Sequence, residues 1–326
     1  MADLIGDGHT VQAVGSRDLV RARAFADRFG IATAHGGYDE LVADPEVDAV
    51  YIATPHVFHA EQALLAIAAG KHVVVEKPFT LNAPEAEAIH AAAAAAGVVA
   101  LDGMWTRYTP QSTRMREIVA EGTIGLPRLV IGTHLQALPT DPAHRLNDPA
   151  LGGGALLDLG VYPVAFALDL LGEVTGIDAT ATLSDRGVDR RVGTILDFAG
   201  GGQALLHSAL DLAAPNTAVL HGTSGRIEFD GPFFSPVGFT VFADTLAGSN
   251  GPGDGDVVER YEADENGLRG MHHMARAVEA LVAAGTTEDP RFTAAQSIAV
   301  MRVLDEIRRL VGVTYPGEAS PGIPIS

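Results

Sequence analysis

Val73-Val74-Val75-Glu76-Lys77-Pro78-Phe79 is the stretch that decides the fold. Three consecutive β-branched residues without polar alternation read as a strand buried on both faces, as in a parallel sheet. The charges of Glu76 and Lys77 fall where that strand ends. Carboxyl ends of parallel strands are where α/β proteins bind ligands. Composition also singles out Lys77: of 22 basic residues only Lys71 and it are lysines. A lysine pKa can be moved into a working range, whereas arginine stays charged. An ion pair at a strand end is often solvated surface. The apolar run before this pair and the proline after it favour a ligand-facing role.

Working outward, the same alternation recurs. Val11–Val14 reads as a strand ending at Gly15, and Asp18 caps a helix over Leu19–Phe29 that stops at Gly30. A short strand near Thr33 and a helix over Tyr38–Ala43 follow. Ala49–Ala53 is a strand broken by Thr54-Pro55. Phe58–Ala69 is a helix ending at Gly70, and His72–Val75 leads to Lys77. Leu81–Ala96 is an Ala-rich helix, and Val98–Met104 is the last strand of the series. This pacing predicts βαβ units and a parallel sheet over residues 1–104.

The pattern changes near Trp105. A helix is expected within Arg107–Glu121. Strands are expected at Ile177–Leu183, Thr194–Phe198, Ala204–Ala209, Ala218–His221, Arg226–Phe229 and Phe239–Phe242. Only turns separate them, which predicts an antiparallel sheet in a second domain, residues 105–326. Gly248–Asp256 reads as a loop, Met271–Ala284 and Thr293–Val311 as closing helices, and the tail after Tyr315 as extended.

At 326 residues the chain suits two domains. Its net charge of −19 and pI near 4.9 disfavour nucleic acid or an anionic membrane as partner. The absence of cysteine excludes disulfides and thiolate metal sites and is compatible with a cytoplasmic location. No uninterrupted run of about 18 apolar residues suggests a membrane span, and the first residues lack the basic start and long apolar stretch of a signal peptide.

Other constellations stand beside Lys77. In Gly152-Gly153-Gly154-Ala155-Leu156-Leu157-Asp158-Leu159-Gly160-Val161-Tyr162-Pro163 the glycines let backbone approach a ligand or a neighbour closely. If a helix begins near Ala155, Asp158 and Tyr162 share one face. A tyrosine beside a carboxylate and a lysine can act as general acid or base; the plainer reading is a tight turn with Tyr162 packed at a domain seam. Thr54-Pro55-His56 follows the neighbouring parallel strand, and His56 and His59 are either ligand contacts or helix-start residues. Ser16-Arg17 follows the Val11–Val14 strand. In a dinucleotide fold that position meets the adenosine ribose, where an arginine suits a 2′-phosphate; otherwise Arg17 is a solvated residue before a helix. His272-His273 point about 100° apart on a helix, so no metal site is assigned.

These motifs, in this order, resemble the Gfo/Idh/MocA oxidoreductases: Glu76-Lys77-Pro78, then Gly-Gly-Gly…Asp-x-Gly-x-Tyr, then an antiparallel sheet. Val14-Gly15-Ser16-Arg17, Ala53-Thr54-Pro55-His56, Met104-Trp105-Thr106-Arg107, Leu304–Arg308 and Gly312–Pro316 resemble, more narrowly, the branch of NADP-dependent D-xylose 1-dehydrogenases and dimeric dihydrodiol dehydrogenases. The resemblance implies a Rossmann domain followed by an open α/β domain, and NADP as cofactor. It implies that Lys77 contacts the nicotinamide ribose and the substrate hydroxyl, that Tyr162 moves the proton, and that Asp158 orients the pair. The Lys77 cation would lower the proton affinity of Tyr162. Ser16 and Arg17 would hold the 2′-phosphate. Thr54, Pro55, His56 and Glu76 would line the cofactor, with Trp105 and Arg107 near the nicotinamide. The implied substrate is a small molecule with a CH–OH group, a sugar such as D-xylose or a cyclic diol, with inositol or an amino sugar as alternatives. The implied assembly is a homodimer or larger through the C-terminal sheet.

One departure is large. Such a domain begins with a strand and a G-x-G-x-x-G/A turn, whose helix N-terminus holds the pyrophosphate. This chain begins in what would be the tail of that helix, near Ala2-Asp3-Leu4, and Gly6-Asp7-Gly8 precedes a strand where the fingerprint follows one. In the usual order 3-2-1-4-5-6 the absent strand is central, so Val11–Val14 and Ala49–Ile52 lose their shared neighbour and face a gap or re-pair. The expectation is that Met1 is not the native start. A catalytically silent ligand-binding protein is the rival reading; the missing turn suits it, and Lys77, Asp158 and Tyr162 speak against it.

Overall fold

A computed structural model describes residues 1–243, 255–263 and 268–318. Most of the loop expected at Gly248–Asp256, and the tail beyond 318, lie outside the described residues; Pro316 and Gly317 form a turn. The chain divides into two compact units, Met1–Tyr108 with Glu265–Ile298 and Thr109–Asp264 with Ala299–Ser326.

The first unit opens with α1 (Ala2–Gly6), β1 (Ala13–Gly15), α2 (Leu19–Phe29), β2 (Thr33–His35) and α3 (Tyr38–Ala43). It continues through β3 (Ala49–Ile52), α4 (His59–Ala68), β4 (His72–Glu76), α5 (Ala83–Ala96) and β5 (Ala100–Gly103). Local chemistry sets these boundaries. The Asp18 carboxylate accepts from Val20 N at 2.9 Å and Arg21 N at 3.3 Å, and Gly30 closes α2 at φ 68°. The α5 helix starts two residues later than expected because Asn82 is its cap. Its Oδ1 accepts from Glu85 N, and the Glu85 carboxylate reaches back to Leu81 N.

Strands β3, β4 and β5 form a parallel sheet in that order. Val73, Val74 and Val75 are 0, 5 and 0% exposed, so the central strand is covered on both faces. Each such side chain contributes about 1.5 kcal/mol or more by leaving water. Strands β1 and β2 form a separate parallel pair. Among the described residues nothing pairs β1 with β3.

The second unit holds α6 (Pro110–Ala120), β6 (Pro127–Leu135) and α7 (Val161–Leu171), then β7 (Val174–Leu183), β8 (Asp189–Phe198) and β9 (Gln203–Ala209). It ends with β10 (Ala218–Gly222), β11 (Gly225–Phe229), β12 (Phe239–Ala243) and β13 (Asp256–Tyr261). These strands form one sheet in the order β13-β12-β11-β10-β6-β9-β8-β7. It is antiparallel except for β6 beside β9, which run parallel. Two strands escape the sequence pattern. The inward residues of β6 are Val130, Gly132 and His134, so its alternation is not apolar against polar; Gly132 lets α7 settle against the sheet at Pro163. The edge strand β13 is largely exposed. The apolar stretch Pro149–Leu171 has the length and composition of a membrane span, but it is mostly buried as a core element.

Two helices close the chain, α8 (His272–Ala284) and α9 (Ala294–Val311). The expected division at Met104/Trp105 differs from the observed one. The first unit extends to Tyr108 and takes back residues 265–298, because the apolar face of α8 (Met274, Ala277, Val278, Leu281) packs on β5 and the Trp105–Tyr108 turn. Separation along the chain conceals that return.

Candidate active site

In the first unit the expected residues gather at the carboxyl ends of the parallel strands. Ser16 and Arg17 follow β1, Thr54–His56 follow β3, Glu76 and Lys77 end β4, and Trp105–Arg107 follow β5. The Arg17 guanidinium lies over the Phe58 ring, 5.1 Å from its centroid, which joins the β1 end to the turn after β3. Tyr51 donates a short hydrogen bond to Glu76 Oε1, and Glu76 Oε2 accepts from Lys77 N at 3.1 Å. The carboxylate thus fixes the backbone at Lys77. The Lys77–Pro78 peptide is cis.

His59, weighed above as a ligand contact or a helix-start residue, is wholly buried. Its Nδ1 faces Pro78 O at 3.0 Å and its Nε2 faces Thr54 O at 2.8 Å. The imidazole ties the turn after β3 to the turn after β4. Burial pushes its pKa down, and the two carbonyls push back. His56 is 4% exposed and meets His59 edge-on at 5.8 Å. Arg107 is also buried: it donates to Arg291 O at 3.3 and 3.0 Å and stacks on Phe292 at 4.6 Å. These contacts fasten the Trp105–Tyr108 turn to the segment before α9.

Asp102 is a residue the sequence reading missed. Its Oδ1 accepts from Met104 N at 3.1 Å, its Oδ2 from Ser297 Oγ at 2.6 Å, and its carbonyl from the Tyr108 hydroxyl at 3.2 Å. Burial pushes this carboxyl up to about 7. The signal was available: a carboxyl closing an apolar strand, as Glu76 closes β4. A cavity of about 190 Å³ in the same unit is lined by His90, Val99, Leu281 and Phe292. It lies by the first residues of β5, at the opposite end from the rim.

Asp158 and Tyr162 belong to the second unit. They do not share one regular α-helix. Leu156–Gly160 is a π-turn, and α7 begins after it. Pro163 has no N–H to give to Leu159 O. That carbonyl instead accepts from His134 Nδ1 at 3.1 Å, so a side chain of β6 replaces the bond the helix lost. π-turns of this kind are frequent at functional sites. The Nδ1–H tautomer leaves His134 Nε2 to accept from the Gln136 amide at 2.8 Å. Tyr162 packs edge-on to His134 at 5.0 Å, and Phe234 stacks on His134 at 3.9 Å, so the phenol is held in an aromatic cluster. Asp158 Oδ1 accepts from Arg145 Nη2 at 3.1 Å. Arg145, His134 and Phe234 carried no sequence signal, since each becomes relevant only through strand pairing or loop return.

The glycine run meets neighbours from its own unit. A Cβ on Gly153 would lie 2.6 Å from Leu146 O, and one on Gly154 would collide with Asp189 Oδ1. Gly154 also holds φ 136°, which side chains rarely adopt. Among the described residues no group of three or more His, Asp or Glu side chains gathers as a metal site.

The residues present suit an NADP. Arg17, packed on Phe58 beside Ser16, fits a 2′-phosphate, and the strand ends offer a rim for the ribose and nicotinamide.

Residues 4–103 match the oxidoreductase family with NAD-binding Rossmann fold, and residues 112–228 match the GFO/IDH/MocA C-terminal domain. The chain is 34% identical over 323 residues to a trans-1,2-dihydrobenzene-1,2-diol dehydrogenase of Mus musculus, covering 97% of this chain and 93% of that protein. The Homo sapiens protein of that name is 33% identical, covering 94% and 90%. A 3-ketoreductase from Actinomadura kijaniata, solved with NADP and TDP-benzene, is similar with a TM-score of 0.78 at 29% identity, covering 93% of this chain and 90% of that one. An aldose-aldose oxidoreductase from Caulobacter crescentus, solved with glycerol, has a TM-score of 0.82 at 26% identity, covering 96% and 92%.

Proposed function

The chain belongs to the Gfo/Idh/MocA oxidoreductase family, and from that premise we propose that it is an NADP-dependent dehydrogenase of CH–OH groups in sugars or cyclic diols. An aldose such as D-xylose is the first candidate substrate. The observation that carries the reading is that Arg17, the Thr54–His56 turn and Glu76-Lys77 stand at the carboxyl ends of β1, β3 and β4, with Arg17 packed on Phe58.

NADP, when bound, supplies the nicotinamide that takes the hydride. Arg17 and Ser16 hold the 2′-phosphate, and Thr54, Pro55, His56, Glu76, Trp105 and Arg107 line the cofactor. Lys77 binds the substrate hydroxyl through its ammonium and favours loss of the proton. Tyr162 takes that proton on its phenolic oxygen. The carbon gives up two electrons with its hydrogen, and a carbonyl product results. Asp158, held by Arg145, orients the pair. The chain acts in the cytoplasm as a homodimer or larger assembly. The exposed face of the sheet supports the assembly: Ile131, Leu205 and Ile195 are 39, 38 and 41% exposed and lie in register across β6, β9 and β8.

The test is NADPH formation with D-xylose and with a cyclic trans-diol. Lys77→Arg keeps the charge and loses the compact ammonium, and turnover is expected to fall at least 100-fold, on the order of a lost general acid–base group. Tyr162→Phe is expected to lower kcat with little change in NADPH affinity measured by fluorescence titration. Undiminished turnover in the Lys77 variant refutes its role, and a Tyr162 variant that loses affinity but keeps kcat makes that residue a binding group.

A further inference from the structure

The glycine run and the start of the Asp158–Tyr162 segment are fastened from behind by residues that none of the motifs contains. Asp189, the first residue of β8, is 1% exposed, and its Oδ2 accepts from Leu156 N at 2.7 Å. Leu156 opens the π-turn. Its N–H is one of the donors that a helix start leaves without an intrahelical partner. Asp189 satisfies it from the start of β8, and the missing side chain of Gly154 makes room for the carboxylate. One residue earlier, the Tyr315 hydroxyl donates to Gly153 O at 2.8 Å. Tyr315 is itself pinned: the Arg308 guanidinium lies 4.9 Å from its ring centroid and is bound by Asp305 at 2.7 Å and Glu318 at 2.8 Å.

We propose that Asp189, backed by Tyr315, is a positioning residue for the phenol of Tyr162. Leu156 lies six positions before Tyr162, and the π-turn it opens lacks the regular α-helical ladder that would fix its rotation. The angle at which α7 presents Tyr162 is therefore set at two points: His134 on Leu159 O and Asp189 on Leu156 N. Loss of the second point frees the start of the π-turn and lets Tyr162 rotate away from its setting.

The catalytic half of this inference rests on Tyr162 being the proton-transfer group, so the experiment reads position and turnover separately. The full chain is labelled with 13Cζ-tyrosine, and the Tyr162 resonance is assigned by its loss in Tyr162→Phe. Asp189→Ala is expected to move that resonance and to lower kcat on the order of tenfold with little change in KM, the scale of a misplaced reacting group. Asp189→Asn keeps an acceptor for Leu156 N and is expected to restore both. A filler role alone predicts lower thermal stability with resonance and kcat unmoved. Should Asp189→Ala fail to fold, Tyr315→Phe removes only the bond to Gly153 O and is expected to shift the same resonance in a folded protein. An unmoved resonance overturns the positioning and leaves the proposed function standing. A moved resonance with unchanged kcat overturns the catalytic half, and the proton-transfer role of Tyr162 with it.

Discussion

Asp102 and Asp189 make a pH dependence legible residue by residue. Both are buried carboxyls that desolvation pushes up to about 7. The folded state therefore keeps protons that the unfolded chain releases near pH 4, and stability falls as pH rises through the window from about 4 to 7, by about 1.4 kcal/mol per pH unit for each group. Asp7, paired with Arg276, and Asp44, bonded at Glu46 N and His35, shift the other way. Their contribution is present above about pH 4 and is lost only below it. The melting temperature is expected to drop between pH 5.5 and 7.5, and Asp102→Asn is expected to flatten that drop. A wild-type profile that rises over this interval would contradict the assignment. Lys77, Glu76, Arg17 and Tyr162 were visible in sequence because each breaks a local pattern at a strand end or a turn. Asp189 was not: it opens a charged run, Asp189-Arg190-Arg191, and only the fold shows what it caps.

Elements were legible where caps and periodicity agree. The α2 helix falls where Asp18 and Gly30 place it, since both ends are set by single residues acting locally. Asp18→Ala is expected to cost about 1 kcal/mol in denaturant unfolding, the usual scale for a lost cap. It is also expected to weaken NADPH affinity, because an uncapped, fraying start of α2 loosens the residue 18 N–H that donates to Ser16 Oγ at 3.3 Å beside Arg17. A variant that loses affinity without losing stability would argue that Asp18 acts on the ligand and not on the helix. Strand β6 was illegible for the opposite reason. Its inward residues include Gly132 and His134, chosen by what packs on them: Pro163 of α7 and the Leu159 carbonyl. The expected regular helix through Asp158 and Tyr162 is instead a π-turn over Leu156–Gly160 followed by α7, and the His134 side chain that meets Leu159 O shows only in the fold.

For the whole molecule, the proposed assembly is tested at the exposed apolar row Ile131–Leu205–Ile195. Leu205→Glu brings a carboxylate into the centre of that face and is expected to convert a dimer to monomer in sedimentation velocity, with secondary structure unchanged. A wild-type chain that sediments as a monomer at micromolar concentration would remove the proposal. The sequence by itself determined the two architectures and the strand ends that carry Arg17, Thr54 and Lys77. Those are consequences of local periodicity, turn chemistry and chain order. Only the tertiary structure decided that α8 returns to the first sheet, that β6 and β9 run parallel, and that Arg145, His134 and Asp189 hold the Asp158–Tyr162 segment. Each of these depends on backbone groups and side chains far apart in sequence finding one another's unsatisfied donors, acceptors and apolar faces.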